Sequence, residues 1–169
     1  MNGYGVPPVP IRFYCEDDKH QLEKFRCSPR SPKWKLPPER IIQEAPSVID
    51  DAGIEILVAE DGTQIVGVAV FAITDKPSCY VSSIGVGLER QNQGIGKSLK
   101  RAVMVVAADR YPGLGVESEV HRLNTYMLRI NSGLLAETTV NADSREYLVT
   151  FVKAIVVPED EDMSVTGAP

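Results

Sequence analysis

The segment with the most chemical potential is Gln91-Asn92-Gln93-Gly94-Ile95-Gly96-Lys97-Ser98, which follows an apolar run ending at Val86. Gly94 and Gly96 let backbone amides converge on one point without side-chain obstruction. A helix starting at this turn aims its unpaired N–H groups and the positive end of its dipole at the same point. Anionic phosphate oxygens are the natural occupant. A P-loop would need Gly-x4-Gly-Lys-Ser/Thr. Gly96-Lys97-Ser98 matches its end, but Gln91 stands at the first glycine position. A dinucleotide fingerprint needs a third glycine, and Leu99 stands there instead. The pattern Gln/Arg-x-x-Gly-x-Gly/Ala is met by Gln91, Gly94 and Gly96. Taken alone, the turn also fits a strand–helix connection that holds no ligand.

Further candidates lie on either side. Glu117, Glu119 and His121 alternate on a predicted strand and share one face, opposite Val116, Ser118 and Val120. If that face looks into a cleft, Glu119 can serve as a general base, directly or through a water. A solvated edge, or an acidic patch that attracts a cation, fits the same pattern. Tyr126 is either a proton donor or amphipathic helix packing. Trp34 lies among Lys33, Lys35 and prolines, and suits either the wall of an acceptor site or a cap on the core. His20 reads as exposed on a helix, His121 as an ordinary surface histidine, and Cys79 as a small apolar residue on a strand.

These residues need a scaffold. Residues 1–10 are rich in glycine and proline and read as a flexible arm. Residues 11–15 are β-prone, and 17–26 suit a short helix opened by aspartates. Four prolines within residues 27–38 exclude regular structure there; a helix over 39–45 follows. Strands are predicted over 54–59, 64–73 and 79–86, with Asp61-Gly62 marking a hairpin. A helix over 94–110 carries Leu99, Ala102, Val103, Val106 and Ala107 on one face. A strand over 114–120, a helix over 124–134 and strands over 135–141 and 146–157 complete the pattern. Residues 158–169, with Glu159-Asp160-Glu161-Asp162, read as an acidic disordered tail.

Composition bounds the function. The 169 residues include 18 basic and 23 acidic side chains, a formal net charge of −5. That balance disfavours a nucleic-acid partner and favours a cationic one, such as an amine. The three cysteines form no metal or disulfide pattern, so no metal is expected. The N-terminal stretch has no signal-peptide pattern, and no apolar run approaches the roughly 20 residues of a membrane helix. A cytoplasmic protein without a membrane partner is expected, with a homodimer left open.

The strand, the Gln91–Gly96 turn and the helix behind it resemble the coenzyme A site of the GCN5-related N-acetyltransferases. A second stretch, Val120-x-x-x-Asn124-x-x-Met127-Leu128-x-Ile130-Asn131-x-x-Leu134, is similar to that family's next strand end and helix. The match covers residues 54–157 well and 11–50 in element order. The resemblance implies one mixed α/β (α+β) domain over 11–157. Its mostly antiparallel sheet would be splayed centrally and flanked by about four helices. It implies acetyl-CoA between the two central strands and direct acetyl transfer to a primary amine. Ile84 and Val86 would offer backbone groups to the pantetheine arm, with the Val86 N–H near the thioester carbonyl. Amides of Gln93, Gly94, Gly96 and Lys97, with Ser98, would hold the pyrophosphate. Gln91, Asn124 and Asn131 complete the implied coenzyme contacts. Three features depart from the family's pattern, one being Leu134-Leu135-Ala136 where the family often has Leu-Gly-Phe. Many members carry a tyrosine where Asn131 stands, and the strand Tyr80–Ile84 lacks the usual carboxylate base. A non-catalytic acyl-CoA sensor or scaffold of the same fold is therefore the alternative. A toxin-type enzyme acting on aminoacyl-tRNA is opposed by the acidic balance.

Overall fold

The β-prone runs form strands β1 (Ile11–Phe13), β2 (Ile54–Asp61), β3 (Gln64–Ile73), β4 (Ser78–Val86), β5 (Gly115–His121), β6 (Glu137–Val140) and β7 (Tyr147–Val152). Among the described residues three α-helices accompany them: α1 (Lys19–Lys24), α2 (Ile95–Arg110) and α3 (Thr125–Gly133). The structure is a computed structural model and describes residues 9–25, 27, 54–73, 78–110, 112–134, 136–143 and 146–152. The expected helix over 39–45, the proline-rich loop with Trp34, and the acidic tail lie outside the described residues.

The strands form one sheet in the order β1-β2-β3-β4-β5-β7-β6. All neighbouring pairs are antiparallel except β4 and β5. The hairpin between β2 and β3 is tighter than the sequence suggests. Asp61 pairs with Gln64, and Gly62 turns the chain at a φ of 64°.

Central strands buried on both faces explain the near-continuous apolar runs of β2 and β3. Leu57, Ala59, Ala69 and Phe71 pack with Leu99, Ala102, Val103 and Ala107 of α2 on one face. Ile56, Val58, Val68 and Val70 pack with Leu22 and Phe25 around α1 on the other. Burial of a side chain such as Leu99 contributes about 2 kcal/mol. β1 and α1 are clamped by Arg12, whose Nη1 reaches Asp18 Oδ2 at 2.6 Å and whose Nε reaches Glu60 Oε2 at 3.1 Å. The Arg12 hydrogen bond holds the buried Asp18 carboxyl below the usual range.

A bulge in β4 matters for the site. Val70 pairs with Ser83, but Phe71 pairs with Val81, leaving Ser82 as the extra residue. The extra residue reverses the alternation. Cys79 and Val81 before it, and Ile84 and Val86 after it, therefore all pack on the α2 side.

Candidate active site

Several contacts fix the turn after β4. The Gly87 N–H donates to the Val66 carbonyl at 2.9 Å, and Gln91 Nε2 donates to the Val86 carbonyl at 3.3 Å. Arg90 reaches Asp61 of the β2–β3 hairpin at 2.5 Å. Gln93 turns its amide back toward the Glu89 carbonyl at 3.4 Å. Asn92 and Gly94 both take the left-handed backbone, at φ 69° and 83°. Nothing stands within 4 Å of where a Gly94 Cβ would be. Glycine is therefore needed there for conformation, and the space beside it is open. The Ser98 N–H then donates to the Gly94 carbonyl at 3.0 Å and closes the first turn of α2. The amides of Ile95, Gly96 and Lys97 precede that bond and have no acceptor within the helix. Lys97 is exposed and Ser98 half-buried beside them.

Gly96 is buried for a different reason. A Cβ on it would stand 3.5 Å from Val86 Cγ2, 3.6 Å from Ile130 Cδ1 and 3.8 Å from Tyr126 Cε1. The start of α2, the end of β4 and the face of α3 thus meet at one place. Asn124 caps α3, its Oδ1 accepting from the Met127 N–H at 3.1 Å. The fold therefore brings together the two motifs that lie apart in the sequence.

Beside this locus the sheet opens. β4 and β5 pair in parallel at Ser78–Gly115, Cys79–Val116 and Tyr80–Glu117, and no further. β4 continues to Val86 and β5 to His121, so their facing edges diverge into a split. Ile84 and Val86 lie along the β4 edge of it.

The two sides of the split differ. Toward α2 and α3 lie Val116, Ser118 and Val120, all buried. Lys100 of α2, 1% exposed, donates to Ser118 Oγ at 3.0 Å. Ser118 Oγ shares a hydrogen bond with Thr150 Oγ1 at 2.8 Å, and Asn131 Nδ2 donates to the same Thr150 oxygen at 2.8 Å. Asn131 thus lies deeper than the turn, and its Oδ1 is buried without a partner. Burial pushes the Lys100 ammonium down to about 8.

On the opposite side, Glu117 and His121 are half-exposed and Glu119 is exposed, as the alternation predicts. Burial raises the Tyr80 hydroxyl above its ordinary value, and the negative Glu119 and Glu117 raise it further. Tyr80 therefore shares this face with both carboxylates. His121 packs edge-on against Tyr147, with ring centres 5.2 Å apart. Its Nδ1 accepts the Leu123 N–H at 3.2 Å, leaving Nε2 for the proton.

Two residues here carry no signal in the sequence. Lys100 falls in the apolar stripe of α2, where a lysine reads as a solvated neighbour. Tyr80 reads as an ordinary strand residue until the parallel register sets it beside Glu117. Trp34 lies outside the described residues. Among the described residues, no cluster of His, Cys, Asp and Glu is placed to hold a metal ion, and no helix is long and apolar enough to cross a membrane.

Comparison with solved structures places this geometry among known folds. The PaiA N-acetyltransferase from Thermoplasma acidophilum, solved in complex with coenzyme A, superposes with a TM-score of 0.67 at 14% identity. That match covers 85% of this chain and 98% of the relative. The ribosomal-protein-S18-alanine N-acetyltransferase from Escherichia coli gives 0.65 at 13% identity, covering 89% and 96%. The GNAT domain of PAT from S. lividans gives 0.67 at 15%, covering 85% and 89%. At such identities these likenesses establish the fold. No curated protein sequence matches the chain. The profile of the acetyltransferase (GNAT) family, however, matches residues 19–129, from α1 through the turn and split into α3, and the chain belongs to that family.

Proposed function

We propose that this chain binds acetyl-CoA in the β4–β5 split and transfers the acetyl group directly to a primary amine of a small molecule or protein. The observation that carries the reading is the meeting of the turn, the end of β4 and α3 at Gly96, beside an edge of β4 that diverges from β5. The residues fit the coenzyme. Open space beside Gly94 and amides aimed out of α2 suit a pyrophosphate, and a strand edge suits a pantetheine arm. The relative from Thermoplasma acidophilum was solved with coenzyme A, which supports the assignment.

In this reading the amides of Gln93, Gly94, Gly96 and Lys97, with the Ser98 hydroxyl, hold the pyrophosphate. Ile84 and Val86 offer backbone groups to the pantetheine, flanked by Gln91 and Asn124. Acetyl-CoA supplies the thioester. The Val86 N–H stabilises charge developing on the thioester oxygen. The acceptor amine enters from the side of Tyr80, Glu117 and Glu119, where two carboxylates favour a cation. Glu119 takes the amine's proton, through a water where the reach is long. Tyr126 packs against the turn and shapes the mouth of the split.

Thermal unfolding tests the cofactor half. At a hundredfold excess over Kd, acetyl-CoA stabilises by about 2.7 kcal/mol, and each kcal/mol raises Tm by roughly 2–4 °C for a chain of this size. Gly94→Val strains the turn and should abolish that rise. A shift that survives the substitution would place the pyrophosphate elsewhere. Thiol release from acetyl-CoA with polyamines, amino acids, aminoglycosides and peptides then tests turnover. Binding without thiol release across the panel would favour an acyl-CoA sensor.

A further inference from the structure

The polar cluster beneath the split has chemistry that the acyl-transfer reading leaves unused. The Lys100 ammonium offers three protons. Ser118 Oγ is its one hydrogen-bond acceptor among the described residues. A buried ammonium with spare donors is costly, and this position in the α2 stripe would otherwise take an apolar side chain. The same cluster holds a spare acceptor. Asn131 spends its amide N–H on Thr150 Oγ1, which leaves Oδ1 buried and unpartnered. A spare donor and a spare acceptor together suit a group that accepts hydrogen bonds as an anion and donates one once protonated. A thiolate that becomes a thiol is such a group.

The position agrees. Ser118 is the first β5 residue beyond the last parallel pair, Tyr80–Glu117. Cys79, one residue before that pair on β4, lies near enough to Lys100 for the two groups to couple electrostatically. The ammonium therefore bridges the two strands where they part, on the α2 side. The acidic face with Glu119 lies on the other side of the same opening.

We infer that Lys100 meets the coenzyme sulfur at the apex of the split, stabilises it as the departing thiolate and protonates it, while Asn131 Oδ1 accepts the resulting S–H. This rests on the acetyl-CoA reading above. The amine nitrogen forms the new C–N bond, and the C–S bond breaks with its electron pair left on sulfur. One ammonium proton of Lys100 becomes the thiol hydrogen. The proton lost by the acceptor amine leaves through Glu119 to solvent, and neutral Lys100 regains a proton from solvent. An ammonium held near 8 lies close to the ordinary range of a thiol, so the transfer runs nearly balanced. The ionisable group against Lys100 is the Cys79 thiol, pushed up to about 11 by burial and hence neutral. β5, β7 and α3 present the uncharged Ser118, Thr150 and Asn131. On α2 itself, Lys97 is exposed.

The test titrates the free thiol of coenzyme A bound to the full chain. Thiolate is followed by ultraviolet absorbance, with desulfo-coenzyme A as the blank. Binding to the wild type should lower the thiol midpoint by about one pH unit or more. Bound to Lys100→Met, at coenzyme concentrations that saturate the variant, the thiol should titrate as it does free in solution. Equal midpoints in the two proteins overturn the proposal while acetyl-CoA binding stands. A second measurement needs no variant: the side-chain NMR resonance of labelled Lys100 should titrate higher with coenzyme A bound, and not with desulfo-coenzyme A. An unmoved midpoint there also overturns it. Failure of the wild type to bind either acetyl-CoA or coenzyme A overturns both this proposal and the reading beneath it, and a binding measurement alone detects it.

Discussion

On the α2 side of the split, the polar side chains are tied to neighbouring elements. Gln91 ties the turn to β4, Asn124 caps α3, and Lys100, Ser118, Thr150 and Asn131 form one buried chain of contacts. On the β5 side facing away from α2, Glu117, Glu119 and His121 reach solvent, and His121 is ordered by its edge-on contact with Tyr147. A site for a fixed chemical group can be built from backbone amides and buried dipoles, because the group always has the same shape and charge. A face left open and acidic selects by charge more than by shape. In the proposed function the coenzyme side is therefore preorganised, and the acceptor side is set mainly by its field.

The contrast can be broken from either side. The largest expected effect is on the open face. Glu119→Gln should cut acetyl transfer to the best amine of the panel by roughly 10²–10⁴-fold. Acetyl-CoA affinity, measured by calorimetry, should not move; if it falls in parallel, Glu119 belongs to the coenzyme side. Leu99→Ala strikes the preorganised side through packing. Leu99 is fully buried against the Gly67 position of β3, so the loss should be about 3 kcal/mol in chemical denaturation.

The pH dependence of stability sharpens the comparison further. Lys100 titrates lower in the folded chain than in the unfolded one, so the unfolded chain binds more protons from about 8 up to the ordinary lysine range. Its burial penalty is present in full below that window and is relieved as pH rises through it. Cys79 and Tyr80, both raised by burial, act with the opposite sign at alkaline pH. The readout is therefore a difference. Lys100→Met should be the more stable protein at pH 7, by on the order of 2 kcal/mol, with the gap closing toward pH 10. A gap that stays constant with pH would mean that the ammonium is well solvated. The smallest effect is ionic. Raising salt from low to physiological strength should increase KM for a cationic acceptor by roughly threefold, while Kd for acetyl-CoA changes less.

Much of the molecule is legible in its residues alone. The Gln91–Gly96 spacing marks the turn; Gly94 takes the left-handed backbone such a turn requires, and Gly96 stands where β4, α2 and α3 meet. The alternation of Glu117, Glu119 and His121 identifies one face of β5, and the burial of Val116, Ser118 and Val120 agrees. The bulge at Ser82 is not legible, because an extra strand residue leaves composition and apolar content unchanged. It nonetheless sets which residues of β4 line the α2 side. Tyr80 is hidden for a similar reason, since its partner across the sheet, Glu117, lies far downstream in the chain.

Local chemistry is written in the sequence wherever its cause is local. A glycine at positive φ, a capping asparagine and a helical stripe each depend on a few neighbouring residues, so their types and spacing determined them. The chain by itself thus specified a glycine turn at the head of α2, the faces of its strands and a family. Contacts between distant residues depend on register and on the crossing of elements, which no short window contains. Only the tertiary structure decided that β4 and β5 part after Tyr80 and Glu117. Only it put a lysine from the middle of an apolar helix stripe beneath that opening, with Ser118, Thr150 and Asn131 gathered from three other elements around it.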